Sequence, residues 1–324
     1  MSTGTVDAYV HAITYAGTDL LSYDLRPVDP DAGLPPFDAG AHVDVHVAPG
    51  LIRQYSLCND PSERHRYVVC VHRDASGRGG SRTLHDTVRV GQALRVGEPR
   101  NHFALRSADR YVLMAGGVGV TPLAAMAARL HDDDADFELH VYARDRAHVP
   151  LRELLTSSSF AGRTTVHLSS DGDGLRDGPP PALAQHRPGT VVYTCGPAGF
   201  MDAVAGYART AGYTDDDVVT ERFAPSAAAA GDPAADGSFD VVVASTSQRI
   251  PVTPECSIAE ALAESGIQVD LSCEQGMCGA CLTPVISGVP DHRDDVQSAA
   301  EQAANTHITL CCSRAKTAEL VLDL

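Results

Sequence analysis

Four cysteines near the end of the chain have the spacing of iron–sulfur ligands. Cys273, Cys278 and Cys281 follow one another as C-x4-C-x2-C, and Cys311 lies well downstream. This is the plant-type pattern for a 2Fe–2S cluster, in which one short loop supplies three thiolates. Two glycines inside the loop permit the tight turns that such a loop needs. The spacing therefore predicts a protein that transfers single electrons.

Alternatives for these cysteines follow from the same residues. A zinc site usually shows paired C-x2-C units, and only one such pair is present. The chain has nine cysteines and no evident secretion signal, which favours a reducing cytosol and a metal cluster over a disulfide framework. The fourth ligand is ambiguous because Cys311 and Cys312 are adjacent, and the downstream Cys-x-Ser-Arg-Ala pattern favours Cys311.

A second group of residues could bind an anionic aromatic cofactor. Arg53, Tyr55 and Ser56 lie at the end of a predicted strand, where a cation, an aromatic ring and a hydroxyl come together. A short predicted helix opens with backbone N–H groups and a hydroxyl, a ready site for an anion, at Gly79, Gly80 and Ser81. Together these residues could hold a flavin, with the arginine on its phosphate and the tyrosine against its ring.

Two further turns have the composition of a dinucleotide site. The first joins a predicted strand to a helix and contains Gly116, Gly117, Gly119, Thr121 and Pro122. Its glycines would let the backbone approach a diphosphate at the helix N-terminus, and Pro122 fits the first helical turn. The turn lacks the Lys-Ser/Thr pair of a nucleotide-hydrolysing P-loop.

The second turn is Cys195, Gly196 and Pro197, at the carboxyl end of another predicted strand. A thiol there is placed to line a ligand crevice, or else is a buried structural cysteine. Nothing in its surroundings indicates a nucleophile. Glu221 and Phe223 close this segment, and Phe223 is compatible with an ordinary core position.

The elements that must position these motifs divide the chain into segments. Residues 1–107 predict an antiparallel barrel with one short helix, since alternating strands are separated by Gly, Pro and Asp clusters. Residues 108–224 alternate buried strands with helices, which predicts a doubly wound parallel sheet. Residues 225–238 are rich in Pro, Gly and Ala and predict a linker. Residues 239–324 open with a strand, continue with a helix capped by Ser257 and Glu260, and end in the cysteine loop.

Bulk composition excludes several classes of function. The 324 residues carry a formal net charge of −17, which argues against a nucleic-acid partner because phosphate binding needs basic patches. The negative charge is compatible with attraction to a basic face on a protein partner, and equally with a role in solubility alone. No stretch approaches the roughly 20 apolar residues of a membrane span. We therefore expect a cytoplasmic, monomeric protein.

The order of these motifs resembles that of the phthalate dioxygenase reductase family, which includes vanillate demethylase reductases. The resemblance rests on Arg-x-Tyr-Ser, Gly-Gly-Ser-x-x-Leu-His, Gly-Gly-Val-Gly-x-Thr-Pro, Cys-Gly-Pro-x-Gly-Phe-Met and the cysteine loop. It covers the whole chain except the linker. The resemblance implies a ferredoxin–NADP reductase type of flavin and nucleotide unit fused to a plant-type ferredoxin of β-grasp fold.

The resemblance also implies cofactors, roles and partners. FMN would bind the barrel, with Arg53 and Ser81 on its phosphate, Tyr55 on the ring and Ser56 near the flavin N5 atom. NADH would bind the α/β domain, and Thr121, Cys195 and Glu221 would border its nicotinamide, with Phe223 near the flavin. FMN is favoured over FAD because no extra segment is evident for an adenine half. A hydride would pass to the flavin, and electrons would then leave singly through the cluster.

The implied electron acceptor is a terminal oxygenase. A Rieske non-haem iron oxygenase is the leading expectation, and a haem-thiolate monooxygenase is the second. A redox sensor that does not turn over belongs to a different class and stays open. Nucleotide preference should depend on Arg144 and Asp145, which follow the second strand of the α/β domain. The arginine would favour a 2′-phosphate and the aspartate would repel one, and the resemblance favours NADH.

Overall fold

The computed structural model describes residues 4–31, 33–75, 77–225 and 237–324. These residues separate into two compact units, 4–221 and 222–324. The predicted boundaries between barrel, nucleotide domain and linker stay predictions, and residues 226–236 of the predicted linker lie outside the described chain.

The first part of unit 4–221 is an antiparallel barrel, as predicted. Its strands and single helix are β1 (Thr5–Gly17), β2 (Leu20–Pro27), β3 (His42–Ala48), β4 (Leu51–Ser56), β5 (Tyr67–His72), α1 (Gly80–Thr87) and β6 (Ala93–Gly97). The sheet order is β4-β3-β6-β1-β2-β5, and an isolated antiparallel bridge between Leu57 and Val69 connects its two edges. Alternate residues of β3 and β6, such as Val43, Val45 and Val96, fill the interior because strand side chains alternate between faces.

The second part of this unit is a five-stranded parallel sheet, which confirms the doubly wound prediction. Its elements are β7 (Arg110–Gly116), α2 (Val120–Asp132), β8 (Asp136–Ala143), α3 (Arg152–Ser157), β9 (Thr164–Leu168), β10 (Thr190–Cys195), α4 (Ala198–Ala211) and β11 (Val218–Glu221). The order β11-β10-β7-β8-β9 places β7 in the centre. Helix α2 packs with Leu113 and Leu139 on one face, and α4 packs with Val112 and Met114 on the other.

Unit 222–324 contains a mixed sheet with short helices. Its elements are β12 (Phe239–Val243), β13 (Gln248–Val252), α5 (Ile258–Glu264), β14 (Leu282–Ser287), β15 (Pro290–Asp291), α6 (Ala299–Ala304), β16 (His307–Thr309), β17 (Arg314–Ala315) and β18 (Glu319–Leu322). Five strands form one sheet in the order β13-β12-β18-β14-β16. Ser257 and Glu260 form the predicted capping box at the start of α5. Cys256, just before this helix, is half-buried.

Among the described residues, no helix combines the length and the apolar character that crossing a bilayer requires. Helix α4, at 14 residues, illustrates the scale, because a spanning helix needs about 20.

Candidate functional site

The two glycine-containing turns meet at the carboxyl edge of the parallel sheet. Strands β7 and β10 are neighbours, with Ala115 opposite Cys195. A Cβ atom added to Gly119 would lie 2.2 Å from the carbonyl oxygen of Cys195, and one added to Gly196 would lie 2.9 Å from the Cα of Gly116. Side chains at these positions are therefore excluded by the packing of one turn on the other.

This packing refines the role predicted for the glycines. The sequence interpretation assigned all of them to the approach of a diphosphate. The structure assigns Gly116 and Gly119 to contact with the neighbouring turn, since a Cβ at either would overlap protein atoms. Only Gly117, with φ +55° and no atom within 4 Å of an added Cβ, leaves space open beside the turn. A bound dinucleotide would use that side.

Thr121 and Pro122 lie in the first turn of α2 and are buried. The Thr121 hydroxyl donates a hydrogen bond of 3.0 Å to the carbonyl oxygen of Val118. Its proton is therefore directed to the backbone of its own turn, and Thr121 fixes the shape of the turn. A direct role at a nicotinamide stays a prediction.

Ser56, Cys195 and Glu221 come together at the same edge. Glu221 is opposite Cys195 across the β10–β11 pair, and the Ser56 hydroxyl is hydrogen bonded to the Glu221 carboxyl group. The Oε2 atom of Glu221 is buried and has no hydrogen-bond partner among the described residues. An orphaned polar atom at the end of a sheet is an indication of a ligand site, because buried polar groups are otherwise paired.

Burial determines the protonation of this group of residues. It raises the pKa of Glu221 to about 8, and the hydrogen bond from Ser56 offsets only part of that rise. Burial also raises the pKa of the Cys195 thiol well above its ordinary value, with the nearby Glu221 as a second cause. At neutral pH the carboxyl group and the thiol are both protonated. The site therefore presents neutral hydrogen-bonding groups and has no thiolate nucleophile, as the sequence indicated.

Arg53 lies across the N-terminus of α1. A Cβ atom added to Gly80 would be 2.3 Å from the arginine Cγ and 3.0 Å from its Nε. The guanidinium donates a 3.1 Å hydrogen bond to the carbonyl oxygen of Arg78, which holds it beside the loop that enters the helix. Gly79 is the N-cap, with φ 89°. A cation and a helix N-terminus side by side favour an anion such as a phosphate.

Ser81 and Tyr55 lie near these groups in different roles. The Ser81 hydroxyl accepts a hydrogen bond of 3.1 Å from the backbone N–H of Asp74, so its own proton can be given to another acceptor. Burial raises the pKa of Tyr55, and its phenol is therefore neutral. Both side chains fit the predicted flavin contacts, which stay predictions.

The structure gives Asp145 a local partner. Its carboxylate caps the turn after β8, where it accepts hydrogen bonds from the backbone N–H groups of Ala147 (2.9 Å) and His148 (3.2 Å). It also bonds to Nδ1 of His148 at 2.7 Å, and this bond is the main cause of its lowered pKa. The side chain of Arg144 is exposed. Asp145 therefore acts first on its own loop, and its predicted contact with a ribose stays a prediction.

Phe223 lies in the unit comprising residues 222–324, and its side chain is 41% exposed. It is therefore not a core residue, although the sequence was compatible with one. The predicted position near the flavin stays a prediction.

The four predicted cluster ligands contact one another, three of them in the loop between α5 and β14 and Cys311 just after β16. Cys273 contacts the thiols of Cys278 and Cys311, and Cys281 contacts that of Cys311. The first three are at most 5% exposed. No group of three or more His, Cys, Asp or Glu side chains in the described ranges meets the geometry for holding a metal ion. The donor set is instead a chain of pairwise thiol contacts, and soft sulfur donors of this kind suit an iron–sulfur cluster.

Backbone N–H groups of the loop donate to the sulfurs. Those of Gln275 and Met277 lie 3.3 and 3.4 Å from the Sγ of Cys273, and that of Ala280 lies 3.4 Å from the Sγ of Cys278. Hydrogen bonds from Cys278 and Cys311, and then from these N–H groups, lower the pKa of Cys273 despite its burial. These donors favour the thiolate form at Cys273, which an iron ligand requires, whereas contacts among the thiols raise the pKa of Cys278 and Cys311.

Cys311 and Cys312 have different neighbours. The Cys311 thiol contacts two other predicted ligands, whereas the Cys312 thiol lies 3.3 Å from Oγ1 of Thr309. This arrangement supports Cys311 as the fourth ligand. Thr309 and Ser313, two buried hydroxyl residues beside Cys312, were not among the residues predicted for this site. Their only signal was the position of two hydroxyl residues on either side of a Cys-Cys pair.

Known sequences and structures are similar to this chain. The model of the 2Fe-2S iron-sulfur cluster binding domain matches residues 241–316. The chain is 43% identical over 321 residues to a vanillate O-demethylase oxidoreductase of Pseudomonas putida, covering 98% of this chain and 100% of the relative. It is 35% identical to the solved structure of phthalate dioxygenase reductase, described as modular for electron transfer from pyridine nucleotides to [2Fe-2S], with a TM-score of 0.74 and coverage of 99% and 98%.

A third likeness covers part of a longer protein. The structure of an intact type IV self-sufficient cytochrome P450 monooxygenase is 36% identical, with a TM-score of 0.84. The match covers 99% of this chain and 41% of that one.

A barrel, a doubly wound sheet and a 2Fe–2S domain on one chain define an electron-transfer oxidoreductase. Since its likeness to reductases of this type extends over nearly the full length of both proteins, the chain belongs to the phthalate dioxygenase reductase family. The predicted family, fold class and enzyme class are thereby confirmed.

Proposed function

We propose that this protein takes electrons from NADH through FMN and delivers them singly, through a 2Fe–2S cluster, to a terminal oxygenase. One observation carries the proposal: the same chain has an uncharged buried site at the edge of a parallel sheet and four thiols in mutual contact, the soft donor set of a 2Fe–2S cluster. The first suits a neutral nicotinamide, and the second suits iron.

The residues at α1 would hold the flavin. Arg53 and the N-terminus of α1 would bind its phosphate, and Ser81 would donate its hydroxyl proton to a phosphate oxygen. Tyr55, half-buried and neutral, would pack against the ring. When bound, a flavin accepts two electrons as a hydride and releases them one at a time, which is the conversion that this enzyme needs.

The residues at the sheet edge would position the nicotinamide. Gly117 leaves space beside the turn after β7, and Cys195 and Glu221 present uncharged groups. The protonated Glu221 carboxyl and the Ser56 hydroxyl form one hydrogen-bonded pair, which orients both without placing a charge beside the transferred hydride. Thr121 fixes the turn from within.

A Rieske-type oxygenase is the proposed acceptor. Relatives that cover almost the whole chain are named as vanillate O-demethylase oxidoreductase and phthalate dioxygenase reductase, which are reductases of demethylase and dioxygenase systems. A haem-thiolate monooxygenase is the second candidate, because an intact P450 monooxygenase contains a stretch similar to this whole chain. We also propose a cytoplasmic monomer that binds neither membrane nor nucleic acid, in keeping with its net charge of −17.

The test begins with cofactor content and ends with electron delivery. Acid extraction should release one FMN per chain, and iron and sulfide assays should give one 2Fe–2S cluster. NADH consumption should then support turnover of a purified Rieske oxygenase. Recovery of FAD, or of zinc without sulfide, would refute the cofactor proposal. Turnover with a haem-thiolate monooxygenase alone would identify the second candidate as correct, and failure to reduce any soluble one-electron acceptor would identify a sensor.

A further inference from the structure

The turn between β1 and β2 of the barrel is hydrogen bonded to the loop that follows β8. The backbone N–H of Thr18 donates to the carbonyl oxygen of Ala147 at 2.9 Å, and the Thr18 hydroxyl donates to the same oxygen at 3.2 Å. At the other end of the contact, the N–H of Leu151 donates to the carbonyl oxygen of Ala16 at 3.0 Å. A carbonyl oxygen can only accept, so the direction of all three bonds is fixed. These three bonds are termed the barrel clamp.

Close packing accompanies the barrel clamp. A Cβ atom added to Gly17 would lie 3.3 Å from the carbonyl oxygen of Val149 and 3.5 Å from that of Ala147, so a side chain there would crowd the loop. Leu151 is buried and has φ 52°, a left-handed conformation that leucine rarely adopts. Such a conformation persists only where its surroundings hold it, and the bond from its N–H to Ala16 is part of that support.

The same loop carries the residue predicted to read the nucleotide. Asp145 follows β8, the second strand of the parallel sheet, where an acidic residue contacts the adenine ribose in folds of this class. Its carboxylate accepts a 2.9 Å hydrogen bond from the N–H of Ala147. Ala147 is therefore held by Asp145 through its N–H group and by Thr18 through its carbonyl group. The position of the Asp145 charge is coupled to the barrel turn through one residue.

A cavity beside the contact increases the importance of these bonds. It has a volume of about 940 Å³, and its lining includes Gly17, Arg146, Ala147 and Val149. An open cavity supplies no packing atoms to the residues around it. The hydrogen bonds of the barrel clamp therefore carry more of the positioning of this loop than they would in a filled interface.

We propose that Thr18 is a positioning residue for nucleotide choice, which acts through Ala147 to fix Asp145 beside the adenine ribose. This inference rests on the nucleotide function proposed above. A carboxylate that is held in place repels a 2′-phosphate bound beside it, whereas a carboxylate on a loosened loop can turn away. The barrel that would bind the flavin thus also takes part in discrimination between NADH and NADPH.

The test removes the bonds of Thr18 in steps. Thr18→Ala removes the hydroxyl and keeps the N–H, whereas Thr18→Pro removes both donors. Proline suits this position, because Thr18 is the first of two turn residues and the second, Asp19, has φ 58°. Thr210→Ala is the matched control, since this exposed threonine of α4 also donates its hydroxyl to a backbone carbonyl oxygen, that of Gly206, at 2.9 Å.

Each variant is made in the full-length, flavin-loaded protein, once alone and once together with Asp145→Asn. Stopped-flow flavin reduction over a range of NADH and NADPH concentrations gives kcat/KM for each nucleotide. The ratio of the two values is the readout for positioning, and the limiting rate at saturating NADH is the readout for general damage to the protein.

We expect Thr18→Pro to lower the ratio of kcat/KM for NADH to that for NADPH about fivefold, the scale of one net hydrogen bond. Thr18→Ala should lower it about twofold, because the shorter bond from the N–H remains. The limiting rate should change little, and Thr210→Ala should leave both readouts unchanged. In the Asp145→Asn background, Thr18→Pro should no longer change the ratio, since the charge that it positions is absent.

Several results would overturn the inference. An unchanged or raised ratio in a folded Thr18→Pro protein would remove the positioning role, and an unchanged ratio in Thr18→Ala would do so if Thr18→Pro does not fold. An equal fall in the Asp145→Asn background would show that Thr18 does not act through Asp145. A lower limiting rate at a constant ratio would show that the barrel clamp only stabilises the fold. Wild-type protein whose flavin neither nucleotide reduces would instead refute the proposed function, and that failure precedes any comparison of variants.

Discussion

Cys195 and Cys273 are both buried thiols, yet their surroundings shift the thiol pKa in opposite directions. Cys195 ends strand β10, and burial raises its pKa well above the ordinary value. Cys273 lies in an irregular loop, where hydrogen bonds from neighbouring thiols and from backbone N–H groups lower its pKa. Burial alone therefore does not set the charge of a cysteine, because the donors that reach the Cys273 sulfur outweigh its burial.

The backbone explains why donors reach one sulfur and not the other. Residues of β10 pair with β7 on one side and β11 on the other, so their N–H groups serve the sheet. In the loop after α5, Gln275 and Met277 have no strand to pair with, and their N–H groups donate to the sulfur of Cys273. A neutral site and an anionic site can therefore be built from the same side chain.

The largest expected effect is loss of the iron–sulfur cluster. It tests whether the cysteine loop around Cys273 is the anionic site. Replacing any one ligand by serine should abolish cluster assembly or strongly reduce it, and this holds for Cys273, Cys278, Cys281 and Cys311. Cys195→Ser should keep full iron and sulfide, because that thiol is neutral and lies in the other unit. NADH should still reduce the flavin in each ligand variant. Iron and sulfide assays with stopped-flow flavin absorbance measure both outcomes.

Cys312→Ser is the control for the ligand assignment and should retain the cluster. If Cys312→Ser lost its iron while Cys311→Ser kept it, the assignment of the fourth ligand would be wrong by one residue.

The next largest effect concerns the neutral site around Cys195 and Glu221. It is the pH dependence of the free energy of unfolding. The pKa of Glu221 is about 8 in the folded protein, above the ordinary value of 4.5. The folded state therefore holds this proton where the unfolded state has lost it, and stability should fall as pH rises from about 4.5 to about 8. The expected decrease in the free energy of unfolding from this group is on the order of 3–5 kcal/mol.

Glu221→Gln should remove that decrease, since the amide keeps the shape and cannot ionise. Urea unfolding of the holoprotein between pH 5 and pH 9, followed by flavin fluorescence, compares the two slopes. Parallel slopes for wild type and variant would mean that Glu221 is ionised at neutral pH.

The third effect concerns the packing that builds the neutral site. Gly119→Ala would place a Cβ 2.2 Å from the carbonyl oxygen of Cys195, so the two turns must separate. We expect a loss of about 3 kcal/mol in the free energy of unfolding, in the range of overpacked cores. A Cβ atom added to Gly206 in α4 meets no atom within 4 Å, so Gly206→Ala should raise the free energy of unfolding by up to about 1 kcal/mol. Thermal and urea unfolding measure both, and a tolerated Gly119→Ala would contradict the observed contact.

The smallest expected effect is nucleotide choice. We expect NADH to exceed NADPH by roughly 100-fold in kcat/KM for flavin reduction, which is about 2.7 kcal/mol. Asp145 is held in its loop by Ala147 and His148, so its negative charge stays fixed beside any 2′-phosphate bound there. Asp145→Asn should lower the ratio of kcat/KM for NADH to that for NADPH. Stopped-flow reduction of the flavin with each nucleotide measures this ratio. Equal rates in the wild type would mean that Arg144 dominates the loop.

The sequence predicted element types well where the local pattern decides them. The alternation of buried strands and helices predicted over residues 108–224 is the one that β7, β8 and β10 form, and the Ser257–Glu260 pair predicted the start of α5. The spacing of the cysteine loop predicted a 2Fe–2S domain, which the family model matches. These features depend on residues close together in the chain, so one sequence is enough to reveal them.

Contacts between distant residues could not be predicted in the same way. Ser56 meets Glu221 only because the barrel and the parallel sheet pack together, and no local pattern encodes that pairing. The role of Gly119 depends on the strand beside it, so the sequence suggested a ligand where the structure has the carbonyl group of Cys195. The neighbours of Cys312 were hidden for the same reason.

Strand β18 has a consequence for when the cluster domain can form during synthesis. It is the last strand in sequence, yet it lies between β12 and β14, and Leu320 and Leu322 are fully buried. Its parallel partner β12 leaves the ribosome first, and all four ligand cysteines emerge before β18 does. Because this pairing joins the most distant strands of the unit, its closure is slow and comes late. The nascent chain therefore exposes its thiols for a time before the sheet that supports them exists.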